Sequence, residues 1–205
     1  MARPILLPAL QETIKRLPIE AITQERKKVL KHLIDYIQTK ILQQKPVLLN
    51  FICTHNSRRS QFAQIWALTA AYIYGKEVQC FSGGVEETAF NKRAVAALTR
   101  AGFMIIPEEG NNPVYRVTYA DGAKVIKAFS KMYDNPVNPT TGFAAVMTCS
   151  DADENCPYIP DTEQRIPLLY DDPKELDGTN QEASKYDERS TQIGSEMFYV
   201  FSKIN

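Results

Sequence analysis

A chain of 205 residues is long enough for one domain with a proper hydrophobic core, or for one domain with an appendage. Hydrophobic residues make up 44% of it, and 24 basic side chains balance 24 acidic ones, which argues against disorder and against a strong field for nucleic acid. No apolar run approaches the roughly 18 residues of a membrane span, and the first ten residues lack the apolar stretch of a signal peptide. We therefore expect a cytoplasmic protein with neither nucleic-acid nor membrane partners.

Residues 1–45 differ from the rest and are interpreted as a helical N-terminal extension. Thr23 is a candidate helix cap, and apolar residues then recur at three- and four-residue steps, which predicts a helix from about 24 to 43. The apolar stripe consists of Val29, Leu30, Leu33, Ile34, Ile37 and Ile41. Such a stripe packs either on this chain's own main domain, which we favour, or on a second copy in a homodimer.

From residue 46 onward, strands and helices alternate. A short apolar run at 47–52 predicts a buried strand, a helix follows from about Ser57, and 78–81 predicts a second strand. The remaining predicted elements are a helix at 91–101, strands at 144–148 and 165–169, and a closing helix at 184–202. This alternation favours an α/β domain, with a parallel sheet covered by helices on both faces.

The segment 107–142 is the least regular part of the domain. Prolines, asparagines and glycines flank a possible helix at 122–133. Because the segment is long for a connection, it is either a surface excursion with its own helix or a lid over the substrate.

The most informative segment lies between the first predicted strand and the first helix after it. A loop in this position aims backbone N–H groups and the positive end of the helix dipole at whatever lies above it. A cysteine placed there is stabilised as a thiolate, which is nucleophilic at neutral pH. The segment reads Cys53, Thr54, His55, Asn56, Ser57, Arg58, Arg59 and Ser60.

Arg59, six residues after Cys53, can return to the mouth of this loop. Its planar fork is suited to two oxygens of a tetrahedral oxyanion. Ser57 and Ser60 can donate to the thiolate or to the loop backbone, and Asn56 can brace the loop internally. The alternative is that Cys53 is one more buried cysteine and that the arginines belong to a solvated helix start.

Residues 49–61 resemble the phosphate loop of the low-molecular-weight protein tyrosine phosphatase superfamily, and in particular its thioredoxin-coupled arsenate reductase branch. The resemblance covers about residues 46–205. It implies a three-layer α/β/α fold with a four-stranded parallel sheet. It also implies a general acid in an Asp-Pro step, which Asp172 and Pro173 match, with Asp171 the neighbour most easily confused with it.

A second segment, 149–157, resembles the redox-cysteine segment of the same reductases. The resemblance implies that Cys149 attacks the sulfur of Cys53 after arsenate has bonded there, and that Cys156 then attacks Cys149. Thioredoxin would reduce the resulting disulfide, so we expect an exposed, mobile loop between the two cysteines.

Zinc is the competing interpretation of paired cysteines. Zinc requires four sulfur or nitrogen ligands, and only His32 and His55 are available beside the cysteines, so we predict no metal centre of this kind. A purely structural cysteine pair is the remaining alternative. Cys80 lies inside the predicted second strand and is interpreted as core packing.

The resemblance also bears on cofactors. Ser82 falls where the reductases have a serine near a bound potassium ion, although Gln64 replaces an acidic residue expected nearby. Asn56 and Ser82 are therefore the potassium candidates, and we expect no tightly bound cofactor.

Two residues depart from the reductase pattern. His55 stands where the loop usually has glycine, and either narrows the mouth or adds a titrating donor. Arg58 stands where it usually has cysteine, and is either an added charge at the site or a solvated side chain. These departures leave the substrate open between arsenate and a phosphomonoester.

The favoured hypothesis is an arsenate reductase with a three-cysteine relay. The alternative is a phosphatase that uses Cys53, Arg59 and Asp172 through a phosphocysteine intermediate. Against it, Lys174 and Glu175 replace the paired tyrosines that many low-molecular-weight tyrosine phosphatases carry. A third hypothesis, from another class, is an oxyanion-binding or redox-sensing regulator.

Overall fold

The structure is a computed structural model that describes residues 5–155 and 158–205. Within these residues, seven strands form two sheets. In chain order these are β1 (Val47–Cys53), β2 (Val78–Gly84), β3 (Met104–Pro107), β4 (Tyr115–Thr118), β5 (Ile126–Ala128), β6 (Phe143–Met147) and β7 (Thr162–Pro167). The central sheet is parallel and has the order β2-β1-β6-β7, which confirms the predicted α/β architecture. The strand β7, at Thr162–Pro167, begins slightly earlier in the chain than the strand predicted at 165–169.

Helices cover this sheet. They are α1 (Pro8–Lys15), α2 (Gln24–Leu42), α3 (Arg59–Tyr74), α4 (Lys92–Arg100), α5 (Ser150–Asn155) and α6 (Glu182–Ser202), with 3-10 turns at Ile19–Ala21 and Pro173–Leu176. The helices α3 and α6 meet at Trp66, whose indole N–H donates to Ser190 Oγ at 3.0 Å. Gly194 permits this contact, because a Cβ there would lie only 3.0 Å from the indole ring. No helix in the described ranges is long and apolar enough to cross a membrane.

The N-terminal helix α2 begins and packs as its sequence indicates. Thr23 caps it, since its hydroxyl accepts from the N–H of Arg26 at 3.2 Å. Half of the apolar stripe is buried in the same hydrophobic cluster as the central sheet and α6, and the other half packs against that cluster partly buried. The guanidinium of Arg26 also donates two hydrogen bonds to the carboxylate of Glu196 in α6, at 2.9 and 2.8 Å. The stripe therefore packs on this chain's own core, and a homodimer would need another surface.

The predicted helix at 122–133 is wrong. This part of the chain forms β5, which pairs with β4 in a small antiparallel sheet of order β3-β4-β5. In β4 and β5 the buried residues alternate with exposed Arg116 and Lys127, which is the period of a strand. Three residues of β5 are too few for that period to be recognised in the sequence. The segment is thus an excursion with a sheet of its own, held on the domain partly by the edge-to-face contact of Phe90 with Tyr115.

Candidate active site

The loop at residues 53–60, here called the oxyanion loop, joins the carboxyl end of β1 to the N-terminus of α3. Neighbouring segments hold the carbonyl groups of its first three residues. The donors are Val85 N, Glu86 N, Thr88 Oγ1 and Ser130 Oγ, at 2.8 to 3.2 Å. By contrast, none of the amide N–H groups of residues 55–58 donates to an acceptor in the described part of the chain. Free amide donors at a helix N-terminus form a cradle for an anion.

Cys53 lies in this loop with 3% of its surface exposed. Its Sγ is 3.1 Å from the hydroxyl of Ser60. Because the Ser60 oxygen already accepts from Asn56 Nδ2 at 2.9 Å, its own hydrogen is free to point at the sulfur. Ser60 is thus placed to donate a hydrogen bond to the sulfur of Cys53. Ser57 has a different role from the predicted one, since its hydroxyl donates to the carbonyl of Ala89 at 2.6 Å and fixes the loop to the chain before α4.

Asn56 braces the loop internally, as its side chain suggested. It adopts a φ of 46°, in the left-handed region that asparagine tolerates. Its Oδ1 accepts from Lys131 N at 3.0 Å and from Gln61 Nε2 at 3.2 Å. The Gln61 amide also donates to the carbonyl of Phe129 at 2.8 Å. Sequence reasoning missed Gln61 and Lys131, because the long-range contacts that assign them to the site leave no local pattern.

Gly84 is a further residue that the sequence analysis missed. It pairs with Cys53 across the β1–β2 ladder. A Cβ at this position would lie 2.7 Å from Asn56 N and 2.8 Å from Thr54 O, so only glycine permits the approach of the two backbones. The feature of the sequence that could have identified Gly84 is the pair of consecutive glycines at the end of β2.

Two arginines hold Asp172 at the mouth of the loop. Arg58 donates to both carboxylate oxygens, at 2.8 and 3.1 Å, and Arg59 donates to one of them at 2.8 Å. Arg59 also donates to the carbonyl of Tyr170 at 3.0 Å. All three charged side chains are at most 18% exposed. The interpretation of Arg58 as a solvated side chain is therefore wrong.

The two arginines also set the ionisation of Asp172. Burial alone would raise its pKa, but the charge of Arg59 and the hydrogen bonds of Arg58 outweigh burial and hold the pKa below the usual range. Asp172 is thus a carboxylate in this state. The neighbouring Asp171 does not belong to this cluster of charges. Its side chain is 83% exposed and forms a salt bridge with Arg189 at 3.2 Å.

His55 contributes to the rim of the site. It lines a small pocket together with Cys53, Ser57, Arg58, Arg59 and Asp172. Its Nε2 is 3.2 Å from a carboxylate oxygen of Glu86, and about a third of the side chain is exposed. The imidazole therefore pairs with an acidic residue beside the loop and stays partly in solvent.

Cys149 follows β6 and is 1% exposed. It belongs to the same buried hydrophobic cluster as Cys53. Its Sγ is 3.5 Å from the hydroxyl of Thr54, the residue after Cys53, and accepts from the N–H of Ala152 at 3.4 Å. A second thiol is thus held beside the oxyanion loop, at the N-terminus of α5. Cys156 lies outside the described residues.

The chain after Cys149 differs from the predicted loop. Residues 150–155 form the short helix α5. Arg165 fixes it through a salt bridge to Asp153 at 2.9 Å and a hydrogen bond to the carbonyl of Ala152. Thr54 donates to Asp151 at 2.6 Å, which ties the helix to the oxyanion loop. The acidic residues that suggested a loop instead complement the helix N-terminus.

Cys80 is buried in β2, and burial raises the pKa of its thiol. This agrees with its interpretation as a core residue and makes it an unreactive thiol. Among the described residues, no group of three or more His, Cys, Asp or Glu side chains is placed to hold a metal ion.

The potassium candidates do not fit that ion in this structure. The Oδ1 of Asn56 already accepts two N–H donors. The hydroxyl of Ser82 faces the ammonium of Lys131, with 3.4 Å between Oγ and Nζ. An ion at Ser82 would meet this positive charge.

A buried cysteine at the end of a parallel strand, in an amide-lined loop closed by arginine and aspartate, is the arrangement expected of a cysteine-dependent oxyanion enzyme. No family model matches the chain. Known relatives do match it. The chain is 31% identical to arsenate reductase 2 of Staphylococcus epidermidis over 123 residues, and these residues cover 60% of this chain and 76% of that protein. For arsenate reductase 2 of Staphylococcus haemolyticus the identity is 32%, with the same shares. The chain belongs to the arsenate reductase family.

Solved structures agree with this fold. An arsenate reductase in the phosphate-binding state has a TM-score of 0.50 and 17% identity, covering 78% of this chain and 99% of that one. Primo-1 has a TM-score of 0.51 and 12% identity, covering 74% and 94%. A low-molecular-weight phosphotyrosine phosphatase from Vibrio cholerae has a TM-score of 0.49 and 14% identity, covering 76% and 95%. At these identities the first two likenesses support the fold alone.

Proposed function

We propose that this protein reduces arsenate to arsenite, with Cys53 as the nucleophile and Cys149 and Cys156 as the thiol relay. The observation that carries the proposal is the second buried thiol beside the oxyanion loop, where Cys149 Sγ lies 3.5 Å from the hydroxyl of Thr54. A phosphatase has no need of this thiol, because water resolves a phosphocysteine.

In the first step, the Cys53 thiolate attacks arsenic and one arsenate oxygen leaves as water. The amides of the oxyanion loop and the fork of Arg59 hold the remaining oxygens. Asp172 protonates the leaving oxygen. Although Asp172 is a carboxylate in this structure, an arriving oxyanion takes the fork of Arg59 and adds negative charge beside Asp172. Both changes raise the pKa of Asp172 and prepare it as an acid.

In the second step, the thiolate of Cys149 attacks Cys53 Sγ. A sulfur–sulfur bond forms, the sulfur–arsenic bond breaks, and its electron pair stays on arsenic, which leaves as arsenite. Cys156 then attacks Cys149, releases the Cys53 thiolate and leaves a disulfide between Cys149 and Cys156. A dithiol protein of the thioredoxin type reduces this disulfide and closes the cycle. The helix α5 must open for the last two steps, because it follows directly on Cys149.

The second candidate function is hydrolysis of a phosphomonoester. Cys53, Arg59 and Asp172 are sufficient for it, since they supply the nucleophile, the oxyanion donor and the acid. It shares the first step with the reductase and differs only in what resolves the covalent intermediate.

A coupled assay separates the two functions. Arsenate-dependent oxidation of NADPH is measured with thioredoxin and its reductase, beside hydrolysis of p-nitrophenyl phosphate, for wild type, Cys149→Ser and the control Cys80→Ala. We expect arsenate turnover in wild type and control and none in Cys149→Ser. If wild type shows no arsenate turnover, and wild type and Cys149→Ser hydrolyse the ester at equal rates, the protein is a phosphatase.

A further inference from the structure

Lys131 is a buried charged residue that the proposed reaction does not use. Only 2% of its surface is exposed. Its ammonium has neutral neighbours, with Ser82 Oγ at 3.4 Å, the carbonyl of Phe129 at 3.5 Å and the centre of the Phe129 ring at 4.6 Å. It forms no salt bridge with the carboxylates of residues 5–155 and 158–205. Burial lowers the pKa of Lys131 to about 8, which leaves the side chain charged at neutral pH.

The backbone of Lys131 is fixed to the oxyanion loop. Its N–H donates to Asn56 Oδ1 at 3.0 Å, and its carbonyl accepts from Gly84 N at 2.8 Å. The preceding residue, Ser130, donates to the carbonyl of His55 at 2.8 Å. One segment thus supports the loop and also brings an ammonium group to the adjoining end of β2.

Buried charges are costly unless they are paired, so an unpaired ammonium in this position calls for a compensating role. A positive charge in a low-dielectric interior attracts an oxyanion in the neighbouring loop and favours a thiolate there. The place at Ser82 where a potassium ion was expected is next to the same ammonium. Gln64, which is neutral, supplies no carboxylate to balance two positive charges.

We propose that the ammonium of Lys131 is the built-in cation of the oxyanion loop, so that this protein binds its oxyanion without potassium. The proposal rests on the proposed function only in that the loop binds a tetrahedral oxyanion. Lys131 is a positioning residue in this role, because it acts through the loop and through its charge.

The test is binding of inorganic phosphate, followed by calorimetry, in potassium chloride and in tetramethylammonium chloride at equal ionic strength. The variants are Lys131→Met, which removes the charge and keeps most of the volume, and the control Lys127→Met, at an exposed lysine of β5. The rate at which iodoacetamide alkylates Cys53 gives a second readout, because it reports the thiolate directly.

We expect wild type and Lys127→Met to bind phosphate equally in the two salts. For Lys131→Met, we expect the dissociation constant to rise about three- to tenfold and alkylation to slow. A further variant, Lys131→Ala, opens space beside Ser82 at the wall of a cavity of about 440 Å³. We expect potassium, but not tetramethylammonium, to restore part of its phosphate affinity.

Stronger phosphate binding by wild type in potassium, or an unchanged dissociation constant in Lys131→Met, would overturn the proposal. If Lys131→Met does not fold, the salt comparison on wild type decides alone. Normal phosphate binding without arsenate turnover would contradict the reductase activity and leave Lys131 as the cation. Absence of phosphate binding by wild type would overturn both.

Discussion

The two sides of the oxyanion loop are held by different kinds of contact. At the mouth, Arg58 and Arg59 form salt bridges to Asp172, which lies more than a hundred residues away in sequence. On the side of β2, the loop is held by neutral hydrogen bonds from Gln61 and from the segment 129–131. An incoming oxyanion can exchange with the Asp172 carboxylate at the mouth, whereas the hydrogen bonds from Gln61, Ser130 and Lys131 on the β2 side involve no carboxylate. We therefore expect the mouth to exchange partners when an oxyanion binds, and the β2 side to stay fixed.

The largest effect is expected from breaking the mouth at Arg59. Arg59→Ala removes both donors of the fork, and we expect turnover to fall about a thousandfold or more. Arg59→Lys keeps the charge but loses the planar fork, so it should recover only a small part of this loss. The measurement is kcat/KM for arsenate, with circular dichroism as the control for folding. A lysine variant with near-normal kcat/KM would show that charge alone is needed.

Removing the carboxylate at the mouth should lower turnover without weakening the binding of phosphate. Asp172→Asn deletes the acid, so we expect kcat to fall about a hundredfold. The same change frees Arg59 and removes a negative charge, so phosphate should bind at least as tightly as in wild type. Asp171→Asn, at the exposed neighbour, is the matched control and should change neither quantity. Weaker phosphate binding in Asp172→Asn would contradict the exchange of partners at the mouth.

On the fixed side, Gly84→Ala is expected to misplace the loop. The added Cβ would lie 2.7 Å from Asn56 N, so the backbones must separate by several tenths of an ångström. We expect kcat/KM to fall roughly tenfold, because small errors of position are costly in catalysis. Gly178→Ala is a control for backbone strain without a clash, because that glycine has a φ of +78° but open space around its Cβ position, so we expect it to keep kcat/KM. Full activity in Gly84→Ala would show that the loop is not fixed from this side.

The smallest effect is a shift in pH dependence from Arg58→Met. In the folded protein, the arginines hold the pKa of Asp172 below its usual range. Removing one positive charge raises that pKa, so the protonated acid persists to higher pH. We expect the alkaline limb of the profile of kcat against pH to move upward by roughly one unit. A limb that moves downward, or stays in place, would mean that Arg58 does not control Asp172.

Much of the fold was predictable from the sequence, because it depends on local patterns. The apolar stripe of α2 and the apolar runs of β1, β2 and β6 contribute to the core of the domain. Each is a pattern of neighbouring residues in the sequence, so its periodicity predicts the element. The small sheet β3-β4-β5 was not predicted, since its strands have only three or four residues. The residues of α5 were predicted to form a loop, because polar residues of these types are also typical of turns.

The candidate site divides in the same way. Cys53 and Arg59 were proposed from a loop motif that is local in sequence, and Asp172 from an Asp-Pro step to which the family resemblance gave its role. The pairing of Arg58 with Asp172 and the burial of Lys131 depend on contacts between residues that are far apart in the chain. No periodicity or motif carries such information, so the supporting side of the loop was found only in the structure.

The most direct test of the account is a single turnover followed by thiol counting. Reduced protein is mixed with one equivalent of arsenate and no reductant, and arsenite, free thiols and linked peptides are measured. We predict one arsenite per chain, a fall from four free thiols to two, and a disulfide between Cys149 and Cys156. In Cys156→Ser, the disulfide should instead join Cys53 to Cys149. Four free thiols and no arsenite after complete mixing would contradict the relay.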